Sequence, residues 1–152
     1  ASSATSVETV AGFLLRDGSI VGLDGTSPLK FKALITNNAY FVIYHRNHLA
    51  VMTASSPSEY FGNYSYDFTD SGAKAYGTNA LIQVDTSPVT FAAYGGEINN
   101  SGTITNSDKG NIDANMNVSG YMIGDINFSG TVTNADKAFI DYNMNESTQV
   151  PL

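Results

Sequence analysis

Cysteine is absent from the 152 residues, as is tryptophan. The first absence excludes disulfides, thiolate metal sites and a thiol nucleophile, leaving oxygen ligands and two histidines as the metal-binding chemistry. Basic residues are scarce, 7 against 14 acidic ones, so the chain repels a nucleic-acid backbone and suits cations. No apolar run approaches the roughly 20 residues that cross a bilayer, so no transmembrane segment is expected. The opening ASSATSVETV has neither the basic nor the apolar stretch of a signal peptide, and its small first residue reads as a mature or truncated terminus. A secreted chain without disulfides needs another source of stability, and a metal ion is one.

What is present is a duplication. GEINNSGTITNSDKGNIDANMN at 96–117 returns as GDINFSGTVTNADKAFIDYNMN at 124–145, at a constant offset of 28 residues. The residues kept are Gly, Asn, Ser, Thr and Asp as well as apolar ones, so a polar geometry is being preserved. Each copy spells acidic-x-Asn-x-Ser-Gly-x-x-Thr-x-x-Asp: Glu97, Asn99, Ser101, Gly102, Thr105 and Asp108 in loop one, Asp125, Asn127, Ser129, Gly130, Thr133 and Asp136 in loop two. This matches the twelve-residue EF-hand-like calcium loop, in which oxygens at positions 1, 3, 5, 9 and 12 and the carbonyl at position 7 surround the ion and Gly at position 6 makes the turn. Thr103 and Thr131 supply the position-7 carbonyls. Two Ca²⁺ sites are therefore expected. Each loop offers only two carboxylates, which points to dissociation constants of roughly 10⁻⁵ to 10⁻³ M, suited to extracellular calcium. Glu97 makes loop one the poorer site, because the longer side chain must kink to reach the ion.

The plainer alternative is a helix cap, with Thr105 or Thr133 as N-cap and Asp108 or Asp136 completing a capping box. Either way a short helix follows each loop, with Ile112 and Met116, or Ile140 and Met144, forming one apolar edge. Ile104 and Val132, at position 8, face away from the ion and are expected to pair with each other as a short β contact.

Upstream of residue 94 the texture is that of strands. Asp17-Gly18 reads as a two-residue type I′ hairpin turn, Asn37-Asn38 as a further turn, and LKFKAL (29–34) as an alternating strand. AYFVIY (39–44) reads as a buried central strand paired with HLAVMTA (48–54) around Arg46-Asn47. SSPSEYFGN is expected to be loop, 64–68 an edge strand, and 80–84 and 89–94 the last two strands. Turn signals at such spacing indicate a sandwich.

The tandem over residues 95–146 resembles a dockerin, a paired loop-helix module. Almost the whole chain, through FLLRDGSIVGLDGTSPLKF, YHRNHLAVMTA, YDFT, AYGTNA, the two loops and STQVP, resembles the C-terminal β-domain plus dockerin-like calcium-binding tail of secreted Bacteroidetes surface proteins. The implied fold is mainly β: an immunoglobulin-like β-sandwich over 1–94 followed by a dockerin-like pair of half EF-hand motifs over 95–152. In that family another strand normally precedes the segment aligned with Ser6 to Leu15. A sandwich without it exposes an edge that a donor strand from a neighbouring subunit would fill, propagating head to tail into a filament. The resemblance thus implies a non-catalytic, secreted or cell-surface structural protein stabilised by calcium. The alternatives are a dockerin-type anchor for a cohesin-like partner, or a carbohydrate-binding module of a larger secreted protein.

His45-Arg46-Asn47-His48 can bring its two imidazoles together only across the hairpin tip, where a hydrogen-bonded cluster is the default over a transition-metal site. No Gly-x-Ser-x-Gly elbow occurs and nothing ties a serine to either histidine, so no enzyme activity is expected. Tyr60, Phe61, Tyr64 and Tyr66 form either an aromatic platform for sugars or a partner, or alternating core residues. Asn63-Tyr64-Ser65 is a nominal sequon of a kind that arises by chance in so Asn- and Ser-rich a chain, with glycans among the partners considered.

Overall fold

A computed structural model describes residues 6–34 and 39–151. The chain divides into two compact units, one within residues 1–38 together with Pro151, the other Ala39–Val150. The expected turn at Asn37-Asn38 and the first five residues lie outside the described residues.

The first unit is a hairpin of β1 (Phe13–Leu14) and β2 (Ile20–Val21). Its turn is not the expected two-residue type I′. Gly18 alone has a positive φ, +85°, while Leu15 N donates to Ser19 O and Gly18 N to Leu15 O. The Asp17 carboxylate accepts from Ser19 N and Ser19 Oγ, fixing this wider turn. Residues 29–34 form no strand, because Lys32 N and Ala33 N donate to Glu8 Oε2 at 2.8 and 2.7 Å instead of to a neighbouring backbone.

The second unit carries three more hairpins: β3 (Val42–His45) with β4 (His48–Met52), β5 (Ser58–Tyr60) with β6 (Asn63–Ser65), and β7 (Ile82–Thr86) with β8 (Val89–Ala92). It ends in α1 (Asn106–Ala114) and α2 (Asn134–Tyr142), which pack on each other. The β3–β4 and β7–β8 pairings fall where the apolar runs placed them, whereas β5 lies in a segment expected to be loop.

These elements correct the expected architecture. Among the described residues there are four separate two-stranded ladders, not an immunoglobulin-like sandwich followed by a dockerin-like pair. Strands of two to five residues each pair with one partner, and among the described residues the backbone pairing beyond these ladders is confined to isolated bridges such as Thr53↔Ala75 and His48↔Gly95. A sandwich needs two extended sheets face to face, and Asn, Gly, Ser and Asp turns cut these runs too short for one. β3, expected to be central, therefore has one neighbour and leaves Tyr44 exposed.

Residue 94, the expected boundary, lies inside the second unit. There Leu49 of β4 shares a core with Ile98, Ile104, Ile112, Ile126, Val132 and Ile140, against which Tyr94 and Met116, Met122 and Met144 pack. Each such aliphatic side chain contributes roughly 2 kcal/mol on burial. A second cluster, Val51, Ala75, Ala80 and Leu81, sits under β3, β4 and β8 with Ile43, Phe68 and Phe91.

Candidate metal centre

The duplicated loops share a common set of hydrogen bonds around the serine, to which loop two adds a bond from Gly130 N to Asp125 Oδ2 at 2.9 Å. In loop one Ser101 N donates to Glu97 Oε1 and Asn99 Oδ1 at 2.8 and 2.9 Å, and Ser101 Oγ to Thr103 O at 2.9 Å. In loop two Ser129 N donates to Asp125 Oδ1 and Asn127 Oδ1, both at 2.9 Å, and Ser129 Oγ to Thr131 O at 3.1 Å. Gly102 and Gly130 take the positive φ values, +79° and +88°, that position 6 requires. Oxygens from positions 1, 3, 5 and 7 thus gather around one serine in each loop.

The remaining positions are spent elsewhere. Thr105 and Thr133 cap α1 and α2, accepting from Ser107 N and Ala135 N, and Asp108 and Asp136 complete capping boxes. Asp136 Oδ1 accepts from Ile126 N and Asn127 N, and its Oδ2 from Thr133 N and Thr133 Oγ1, which fills its four lone-pair sites. Asp108 accepts three such bonds, from Ile98 N, Thr105 N and Thr105 Oγ1. Both are wholly buried. Burial pushes the Asp136 carboxyl up, but the backbone donors of Asn127 and Thr133 outweigh it and hold the group below its ordinary value. Position 12 therefore closes the loop onto its helix.

No family model, curated protein or solved structure matches the chain. The donor chemistry is thus tested on this structure alone. Glu97, Asn99, Ser101 and the Thr103 carbonyl, and Asp125, Asn127, Ser129 and the Thr131 carbonyl, are the hard oxygen donors left for a cation in each loop, although Asp125 also accepts Ser129 Oγ on Oδ1 and Gly130 N on Oδ2 and so keeps one lone-pair site free. Thr105, Asp108, Thr133 and Asp136 are committed to caps in this arrangement. Among the described residues no three His, Asp or Glu side chains form a group that could hold a metal ion.

Ile104 and Val132 are both fully buried in the shared core, yet their backbones do not pair with each other. Ile104 N donates to Glu146 O and Asn145 N to Ile104 O, while Val132 N donates to Val118 O and Asn117 N to Val132 O. Each loop is clasped by the segment that follows the other copy's helix. The same exchange recurs in Thr103 Oγ1 with Ser147 Oγ and Thr131 Oγ1 with Ser119 Oγ, and in the ion pairs Lys109–Asp141 and Lys137–Asp113. An internal two-fold relates the copies.

The histidines meet across the hairpin tip, His45 Nδ1 2.9 Å from His48 Nδ1, with Asn47 Oδ1 2.8 Å from the latter. Burial, with the charges of His45 and Arg46, lowers the His48 pKa to about 4. Local sequence patterns missed the partner of this tip. Asn47 is fully buried, donates through Nδ2 to Ile123 O and Asp125 O at 3.2 and 3.1 Å, and accepts Gly96 N on its own carbonyl. Arg46 Nη1 donates to Met122 O at 2.7 Å and lies over the rings of Tyr121 and Phe128. One hairpin tip thereby touches the start of both loops, across 76 or more residues of sequence for loop two.

The aromatic grouping divides. Tyr64 packs edge-on against Phe41, and Tyr66 donates to Lys74 O and meets Phe68, whereas Tyr60 and Phe61 stand exposed.

Proposed function

We propose that this is a non-catalytic, calcium-binding structural protein of the extracellular space or cell surface, a subunit that assembles by strand donation. The observation that carries the reading is the repeated convergence of positions 1, 3, 5 and 7 in both loops. Glu97, Asn99, Ser101 and Thr103, and Asp125, Asn127, Ser129 and Thr131, would hold the ions. Water completes the six to eight oxygens that calcium takes, so affinity is weak and the sites fill where calcium is millimolar. Bound calcium stabilises the folded chain to the extent that it prefers it over the unfolded one. Assembly is supported by the open edges of the two-stranded ladders and by the exposed Phe13, Leu14, Leu23 and Leu34 of the first unit. A lone hairpin with apolar surface is marginal in water and gains from an added strand.

Calorimetric titration and thermal melts test the ion. With a dissociation constant of roughly 10⁻⁴ M, millimolar calcium stabilises by about 1–2 kcal/mol per site. Chelator is expected to lower the melting temperature, and Asp125→Ala to remove one binding step. An unchanged melt and no heat of binding overturn the calcium reading. Electron microscopy of the same protein tests assembly separately, with fibres expected and uniformly monomeric particles counting against it.

A further inference from the structure

The β5–β6 hairpin presents a feature that the proposed function does not use. Its two-residue turn is Phe61-Gly62, with φ of +50° and +77°. Two consecutive positive φ values define the type I′ turn, whose first position favours Asn, Asp or Gly and disfavours a bulky aromatic. Phe61 occupies that position, is 84% exposed, and its ring meets that of Tyr60, itself 74% exposed, with centroids 4.5 Å apart. Backbone strain is here combined with an apolar ring held in water. Folding alone gains nothing from either.

The next residue after the turn is Asn63, which opens Asn63-Tyr64-Ser65. The chain holds four other Asn-x-Ser triplets, starting at Asn99, Asn117, Asn127 and Asn145. Each of those is built into the duplicated loops or their clasp. Asn99 and Asn127 accept from Ser101 N and Ser129 N within the loops, and the Ser119 and Ser147 hydroxyls bind Thr131 and Thr103 across the two-fold. Asn63 is exposed. Its Nδ2 donates to Tyr60 O and Phe61 O, both at 3.3 Å, two bonds on exposed residues that hold it against the turn and that transfer has to break.

We propose that Asn63 carries an N-linked glycan whose first sugar covers Phe61. In the linking step a transferase joins Asn63 Nδ2 to the anomeric carbon of a sugar held on a lipid diphosphate. The carbon–oxygen bond to the diphosphate breaks, the lipid diphosphate leaves with the electron pair, and one amide proton passes to a base on the transferase. The apolar, C–H-bearing face of an N-acetylhexosamine suits an exposed aromatic ring. A sugar on Asn63 thus removes from water the surface that Phe61 exposes, at a tip with no other cover. The site is independent of calcium.

The test uses the full chain secreted from cells that perform N-glycosylation, digested with a peptide N-glycosidase in ¹⁸O water and mapped by mass spectrometry. Isotope-labelled aspartate at position 63 is expected, lost in Ser65→Ala without change at the other four triplets. Thermal melts before and after glycan removal then test the role of the ring. The glycosylated wild type is expected to melt several degrees higher than its deglycosylated form, and in Phe61→Ala this difference is expected to vanish. Comparing each variant with its own deglycosylated form cancels any relief of turn strain. An unmodified Asn63 overturns the proposal, including the case in which the tip binds free glycans. A glycan-dependent melting shift that persists undiminished in Phe61→Ala overturns the covering role.

Discussion

Loops one and two share the hydrogen bonds around Ser101 and Ser129, and their fourth residue is among what separates them. Asn100 and Phe128 both take left-handed backbone, φ +59° and +57°. Asparagine tolerates this and stands exposed in loop one, whereas a phenylalanine is strained there. Phe128 is held by its surroundings: its ring stacks on His48 within 5° of parallel, meets His45 edge-on, and receives the Arg46 guanidinium at 5.2 Å. Loop two is thereby bound to the β3–β4 tip through a side chain as well as through Asn47, while on the side of loop one the preceding residue, Gly96, donates its N–H to Asn47 O. A duplicated frame has diverged in what leans on it, and the fourth position carries much of that divergence.

The buried carboxylates give the largest expected effect. Asp136→Ala strands four donors and Asp108→Ala three, so losses of about 3 kcal/mol or more and about 2 kcal/mol respectively are expected in urea unfolding. Equal losses would show that the fourth bond, from Asn127 N, contributes nothing.

Acid separates the copies next. His48 is held neutral in the fold, to about 4 against an ordinary 6.5, so the unfolded chain binds the extra proton between those values. Stability is complete above pH 6.5 and falls toward pH 4, by about 1–3 kcal/mol. His48→Phe is expected to flatten that window. The Asp136 carboxylate, depressed in the fold, adds its own loss only at lower pH, as protons titrate it through its folded value. Hydrogen exchange through the upper window should loosen the Ser129 amide before the Ser101 amide, because the histidines support loop two.

The smallest effects come from exchanging the fourth residues. Phe128→Asn relieves strain and loses the aromatic contacts, for a net change within about 1 kcal/mol. Asn100→Phe brings strain without the contacts and is expected to cost about 1 kcal/mol in thermal melts. If Asn100→Phe is neutral, the strain assigned to Phe128 is wrong.

How much of this was legible depended on range. The helix starts could be read from Thr105 with Asp108 and Thr133 with Asp136, because a capping box is a contact between residues three apart. The glycines at position 6 and the Arg46-Asn47 tip were legible for the same reason. The assembly of strands into sheets was not: pairing beyond a hairpin depends on partners distant in sequence, and alternation in LKFKAL could not reveal that Glu8 would take its amides. The ligand set was legible as an inventory of oxygens, but which oxygens would be consumed by caps depended on the fold. Asn47 gave no local signal, since its partners lie near residues 123 and 125.

The crossed clasp between the copies has a consequence for truncation. Residues 145–148 complete loop one and residues 117–120 complete loop two, so a chain cut just after Gly120 loses the lid of the loop it keeps. Such a fragment still carries both a loop to be covered and a segment able to cover one. Two identical fragments therefore satisfy each other, and a single duplicated half behaves as a reciprocal dimer, with the 28-residue duplication serving as a tether that makes the handshake intramolecular.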